Sequence, residues 1–202
     1  IMNTQFCLQN TPVIIGEECF SVLHDFLIKN KPSNIFIIVD SNTKQYCLPI
    51  LLRHMPVLLD ANIILSKTGE NAKSLNSFED ICVQLINNHI DRKSLIINLG
   101  GGVVCDLGGF VSSVLKRGIK FINMPTTLMS QIDAAIGGKV GLNISSYKNQ
   151  IGAFNNPLYV LIYPPYLSSL PPNELLSAQA EIFKYALIYD DNFWHTLCSI
   201  KV

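Results

Sequence analysis

Leu95-Ile96-Ile97-Asn98-Leu99-Gly100-Gly101-Gly102-Val103 is the stretch whose reading decides the fold. An apolar run fit for a buried strand breaks into three glycines. An apolar segment of helical length follows, carrying a lone carboxylate at Asp106. Strand, glycine turn and helix start make a phosphate site in that order. Backbone without Cβ atoms can turn tightly and approach an anion, while the free N–H groups and dipole of the helix start favour negative charge. A second glycine pair, Gly137-Gly138, precedes Lys139, and Lys148-Asn149 follows. Two glycine turns, each near a cation or an amide, suit a ligand with more than one phosphate. Gly100-Gly101-Gly102 is not the G-x-G-x-x-G fingerprint, however, and a tight strand-to-helix turn alone accounts for it.

Upstream, Pro12–Gly16 reads as a short strand, and residues 17–29 place Phe20, Leu23, Leu27 and Ile28 at helical spacing. Ile35-Phe36-Ile37-Ile38-Val39 is a continuous apolar run, the pattern of a parallel strand covered on both faces. It ends at Asp40, where a nucleoside ribose commonly meets a carboxylate, or where a side chain simply caps the next helix. A strand near 61–65 leads to Lys67-Thr68-Gly69-Glu70, and then to a helix with Leu75, Phe78, Cys82, Leu85 and Ile86 facing inward. Glu70 and Lys73, three apart, can share a face, and a solvated ion pair is the plain alternative. Strands alternating with helices over residues 12–99 predict an α/β fold with a largely parallel sheet. Asp40, Glu70 and Gly100–Gly102 all follow strands, so three loops converge on the rim where such sheets bind ligands.

Downstream come a helix over 103–115, the dipeptide Arg117-Gly118 and a strand over 120–124. Pro125-Thr126-Thr127 starts a helix that includes Gln131 and Asp133. Residues 137–156 read as a long glycine- and polar-rich irregular segment tethered by Ile144, Ile151 and Phe154, and 159–163 as a last strand. Proline pairs at 164–165 and 171–172 mark a boundary. Beyond it, residues 173–188 form a helix with Leu175, Leu176, Ala180, Phe183 and Leu187 on one face and the pair Glu181–Lys184 on another.

Composition narrows the class. Fifteen basic residues balance 15 acidic ones, so there is no electrostatic footprint for nucleic acid. No apolar run approaches a bilayer span, and the first residues lack the charged and apolar regions of a secretory signal. Six scattered cysteines without a C-x-x-C read as free thiols of a reducing compartment. A cytoplasmic, soluble enzyme is the expectation.

GGGVVCDLGGFVSSVLKRG from Gly100, PTTLMSQIDAAIGGK from Pro125, YKNQIGAF from Tyr147 and LPPNELLSAQAEIFKYALI from Leu170 resemble, in order, the motifs of 3-dehydroquinate synthases. The resemblance is dense over residues 98–188. It implies a Rossmann-like, mostly parallel NAD-binding α/β domain over 1–168, followed over 169–202 by the first helices of an all-α metal and substrate domain. The implied enzyme is a homodimeric carbon–oxygen lyase of the shikimate pathway, dependent on NAD and Zn2+ (or Co2+). It converts 3-deoxy-arabino-heptulosonate 7-phosphate to 3-dehydroquinate, with transient oxidation of an alcohol easing loss of phosphate.

Carried over by resemblance, Asp40 and Asn42 take the adenosine side and Glu70 and Lys73 flank the cofactor. Gly101, Gly102 and Val103 line the pyrophosphate, with Asp106 near the nicotinamide. Thr126, Thr127, Asp133, Lys139 and Lys148 complete the wall. Lys139 and Asn149 hold the substrate phosphate, joined by Arg117 from a second subunit, and Lys184 binds substrate hydroxyls. Glu181 matches the carboxylate metal ligand. The family's two histidine ligands lie beyond this chain, and His195 matches no ligand motif, so the chain alone is expected to be inactive. Deoxy-scyllo-inosose or valiolone-type cyclases, glycerol-dehydrogenase-like oxidoreductases and a non-catalytic nucleotide-binding module share parts of this pattern.

Overall fold

Strand and helix positions follow from where apolar residues alternate with glycine, proline and capping side chains. The computed structural model describes residues 4–8, 10–189 and 191–199. Its strands are β1 (Thr4–Leu8), β2 (Thr11–Ile15), β3 (Ile35–Val39), β4 (Asn62–Leu65), β5 (Leu95–Gly100), β6 (Lys120–Pro125), β7 (Lys139–Ile144), β8 (Tyr147–Phe154) and β9 (Val160–Ile162). The helices are α1 (Glu18–Asn30), α2 (Ser41–Tyr46), α3 (Leu48–His54), α4 (Leu75–Asn87), α5 (Gly102–Val114), α6 (Pro172–Tyr189) and α7 (Asp191–Ser199).

A seven-stranded sheet runs β1-β2-β9-β6-β5-β3-β4, and only the β1–β2 pair is antiparallel. Because side chains alternate across a strand, each central strand feeds two cores. Ile37, Val39, Ile97, Leu99 and Ile122 pack under α1 and α3 through Phe20, Leu23, Leu48 and Leu51. Phe36, Ile38, Ile96 and Phe121 pack under α4 and α5 through Ile81, Leu85, Leu107 and Val111. The double coverage explains why β3 and β5 are apolar throughout.

Two local expectations are corrected. In α4, Leu75 and Ile86 point to solvent, while Ser77, Ile81 and Leu85 are buried and Phe78 and Cys82 half-buried. Ser74 caps the helix by accepting from the Ser77 N–H, which sets a frame with Leu75 in the open first turn. Residues 137–156 are not irregular, since they hold the antiparallel hairpin β7–β8. Its glycines serve close approach: a Cβ on Gly141 would lie 2.5 Å from the Ile151 carbonyl oxygen, and one on Gly152 2.4 Å from that of Val140. Val140 and Leu142 tie the hairpin into the core over α5. In α6, the apolar stripe through Leu176, Phe183 and Leu187 is exposed, and Ala178 and Ala186 are buried. Leu175 is half-buried and Ala180 exposed. The edge strand β1, absent from the sequence reading, is exposed along its length. No helix among the described residues is long and apolar enough to cross a membrane.

Candidate active site

The chain steps outward from β3 to β4, then returns to place β5 on the other side of β3. This reversal opens a crevice beyond the carboxyl ends of β3 and β5, where doubly wound sheets take their ligands. The expected loops do meet there. The Ser41 and Thr68 hydroxyls are 2.8 Å apart, joining the loops after β3 and β4. The Thr126 N–H donates to the Gly100 carbonyl at 3.0 Å, joining those after β5 and β6.

Gly101 caps α5 with no side-chain hydrogen bond, so the first N–H groups of a 13-residue helix face outward without intrahelical partners. A Cβ on Gly101 would come within 2.9 Å of the Thr127 methyl, so the turn is pressed against the β6 loop. Thr127 is fixed by Ser130 through their hydroxyls, 2.9 Å apart. Gly101, Gly102 and Val103 are all half-buried around this turn, and Thr126 is buried behind it. Free N–H groups at a helix start suit an anion such as a pyrophosphate.

Asp40 performs the plain role weighed for it: its carboxylate accepts from the Thr43 N–H at 2.8 Å, in a reciprocal capping box for α2. That leaves it half-buried at the crevice, with Asn42 exposed beside it.

Adjacent to the glycine turn lies a cavity of ≈ 480 Å³ lined by Asp106, Asp133, Lys139, Asn149 and Phe154. Asp133 sits on a π-helical turn, Ser130–Ala134, at the end of the helix expected there. A buried amide relay supports that turn. Asn98 donates to the Asn123 side-chain oxygen at 2.9 Å, and Asn123 donates to the Ala135 carbonyl at 3.1 Å.

Glu70 and Lys73 do not pair with each other. Lys73 Nζ donates to Asp106 Oδ2 at 2.7 Å and to Asn149 Oδ1 at 2.5 Å. Glu70 accepts from Asn143 Nδ2 at 3.0 Å. Asn143 further donates its N–H to the Lys73 carbonyl at 2.8 Å and accepts from the Asn149 N–H at 2.9 Å. The β4–α4 loop and the hairpin are thus latched together beside the cavity. Burial raises the Asp106 carboxyl above its ordinary value, Lys73 pulls it down, and Glu70 and Asp133 push it up again.

Other expected residues lie elsewhere. Lys148 is exposed on β8, outside the cavity lining. Arg117 follows α5 and precedes β6, at the opposite rim of the sheet, about 20 Å of helix away from the glycine turn. Lys116, Arg117 and Gly118 all have positive φ (54°, 67° and 115°), a strained backbone that projects the basic pair outward. Glu181 and Lys184 form an ion pair on α6. Among the described residues no group of three His, Cys, Asp or Glu side chains is placed to hold a metal ion. A catalytic zinc takes three protein ligands, so these residues do not by themselves make a metal site.

Sequence reasoning missed Asn143, Asn123 and Tyr185. The Tyr185 hydroxyl, on α6, donates to Asp133 Oδ1 at 2.8 Å. Tyr185 stands four residues after Glu181, on the same helix face, but nothing in the sequence points to its partner 52 residues away.

The site thus sets a glycine turn at the end of a mostly parallel sheet beside a cavity lined by Lys139, Asn149 and two carboxylates. The family model described as 3-dehydroquinate synthase N-terminal matches residues 63–177, and the chain belongs to the 3-dehydroquinate synthase family. It is 42% identical over 176 residues to the 3-dehydroquinate synthase of Parabacteroides distasonis, covering 87% of this chain and 50% of that protein. To that of Bacillus cytotoxicus it is 40% identical over 187 residues, covering 92% and 50%. The chain therefore spans about half the length of the curated relatives it matches.

Among solved structures, 2-deoxy-scyllo-inosose synthase complexed with carbaglucose-6-phosphate, NAD+ and Co2+ superposes with a TM-score of 0.80 at 23% identity, covering 93% of this chain and 52% of that one. The 2-epi-5-epi-valiolone synthase of Streptomyces hygroscopicus with NAD+ and Zn2+ bound gives 0.78 at 24%, covering 95% and 53%. At these identities the likeness shows the fold.

Proposed function

We propose that this chain is the nucleotide-binding part of a 3-dehydroquinate synthase, an NAD- and divalent-metal-dependent lyase acting on 3-deoxy-arabino-heptulosonate 7-phosphate. The observation that carries the reading is the juxtaposition of the Gly101 cradle with the cavity of Asp106, Asp133, Lys139 and Asn149. The sequence relatives named 3-dehydroquinate synthase, at about 40% identity, favour this substrate over the inosose and valiolone classes.

NAD, when bound, supplies a reversible hydride acceptor. Gly101, Gly102 and Val103 present N–H groups to its pyrophosphate, with Thr126 and Thr127 shaping the turn, Asp40 and Asn42 on the adenosine side, and Glu70 and Lys73 flanking it. Lys139 and Asn149 hold the substrate phosphate; a fixed cation stabilises a leaving phosphate as its charge develops. Asp106 stands near the nicotinamide, Asp133 accepts from substrate hydroxyls, Lys184 adds a donor, and Lys148 closes the wall. Arg117, at the far rim of its own subunit, serves the site of a second copy, which makes the enzyme a homodimer. Glu181 contributes one ligand to Zn2+ or Co2+, with the remaining ligands outside residues 1–202. The boundary between the NAD-binding domain and the helical domain falls at 168/169, and the enzyme is cytoplasmic.

The test is phosphate release from the heptulosonate 7-phosphate by the full-length protein, with NAD and Zn2+ or Co2+ supplied. Phosphate should appear with no net NADH, and the 202-residue chain alone should be silent. Net NADH formed on glycerol, with no phosphate release, would hand the protein to the dehydrogenases.

A further inference from the structure

We infer that Tyr185 is a positioning residue, whose phenol holds the Asp133 carboxylate in place at the cavity and so ties the helix carrying Glu181 and Lys184 to the ligand-binding wall. Its ligand class, a polyhydroxylated sugar phosphate, rests on the function proposed above.

The geometry is specific. Asp133 comes from a π-helical turn, a rare element frequent at functional sites. From below, that turn is held by Asn123 through the Ala135 carbonyl. From above, Tyr185 reaches from α6 to Asp133 Oδ1 at 2.8 Å. Every group facing the phenol acts in one direction or braces it. Asp133 and Glu181 are carboxylates that favour a protonated phenol. Lys184 Nζ stands 5.1 Å from the Tyr185 ring centroid while ion-paired to Glu181. A protonated phenol donating to one oxygen keeps Asp133 anionic, and its acceptor capacity stays directed at the cavity it lines. A phenylalanine would preserve the ring packing and remove only the donor.

Two measurements on the full-length protein test this. In the first, Tyr185→Phe, Asp133→Asn and the double variant are assayed for phosphate release. Tyr185→Phe should lower kcat/KM for the sugar phosphate about tenfold with NAD affinity unchanged, and should add nothing on the Asp133→Asn background. Equal, additive losses on both backgrounds would overturn the inference, as would an unchanged kcat/KM.

The second measurement does not depend on the reaction. With tyrosine labelled at 13Cζ, the Tyr185 resonance is assigned by its loss in Tyr185→Phe and compared between the parent and Asp133→Asn at pH 7. Loss of the carboxylate that accepts from the hydroxyl at 2.8 Å should move that resonance. An unmoved resonance would overturn the pairing. A normal pair without any phosphate release would instead overturn the proposed reaction and leave the pair standing.

Discussion

Lys73 Nζ lies 2.7 Å from Asp106 Oδ2, with the lysine side chain 6% exposed and the aspartate 19%. The residues stand 33 positions apart, and their ion pair closes one wall of the cavity. Removing one member of such a pair strands the other charge, which costs about 3 kcal/mol, whereas replacing both by apolar groups is often neutral. Urea denaturation should therefore find Lys73→Met destabilised by about that amount, with Lys73→Met/Asp106→Leu recovering most of it. A double variant no more stable than the single one would contradict the account.

The pH dependence of Asp106 has a definite sign. Its folded value is raised, chiefly by burial, so the folded state binds the proton more tightly than the unfolded chain. Its contribution to stability is full below the ordinary value of 3.8 and is lost as pH rises through the folded value. The stability of the parent relative to Asp106→Asn should grow on acidification and level off below that ordinary value. A difference that shrinks on acidification would show the carboxyl lowered instead.

Gly108 offers a packing test away from the ligands. A Cβ there would lie 2.0 Å from Asn98 Oδ1, an atom with no hydrogen-bond partner on a fully buried side chain. Overpacking of this kind costs about 3 kcal/mol, and Gly108→Ala should lose that much by urea denaturation. Because Asn98 also starts the relay to Ala135, the Asp133 turn should loosen too, visible as faster amide exchange at residues 130–136. Full stability in Gly108→Ala would show that Asn98 can move aside.

Thiol reactivity checks the burial of the two cores. Cys7 and Cys198 are exposed, while Cys19, Cys47 and Cys105 are buried. Burial pushes Cys19 up to about 12 and Cys47 and Cys82 up to about 11. At pH 8 an aromatic disulfide reagent should modify Cys7 and Cys198 quickly and the others only in denaturant. Rapid modification of Cys105, which sits directly behind the glycine turn, would mean that turn is open.

Much of the architecture was readable because it rests on local pattern. β3 and β5 are unbroken apolar runs, and the glycines after β5 could only be a turn. The hairpin β7–β8 was hidden for a physical reason. Gly141 and Gly152 lie opposite each other, where glycine permits backbone contact in a strand, yet in a linear reading glycine marks a loop. Asp133 and Lys139 were identified as site residues through the family resemblance, and the structure brings both to one cavity. Their supports were not readable, since Lys73–Asp106, Glu70–Asn143 and Tyr185–Asp133 join residues 33, 73 and 52 apart in sequence. No periodicity encodes such pairings. The exposed stripe of α6 shows the converse: its pattern was legible, but burial needs a second layer that residues 4–199 do not supply.

The most direct test of the central claim, that the Gly101 turn and the neighbouring cavity divide cofactor from sugar phosphate, is calorimetric titration of NAD into the full-length protein. Gly101 has φ −73° and ψ −172°, angles a valine can adopt, and the added Cβ would lie 2.9 Å from the Thr127 methyl, so Gly101→Val displaces the Thr127 wall of the cradle while keeping the backbone conformation. The account predicts NAD affinity at least tenfold weaker in Gly101→Val and unchanged in Lys139→Met, which should lose the sugar phosphate instead. NAD binding equal in Gly101→Val and the parent would contradict it.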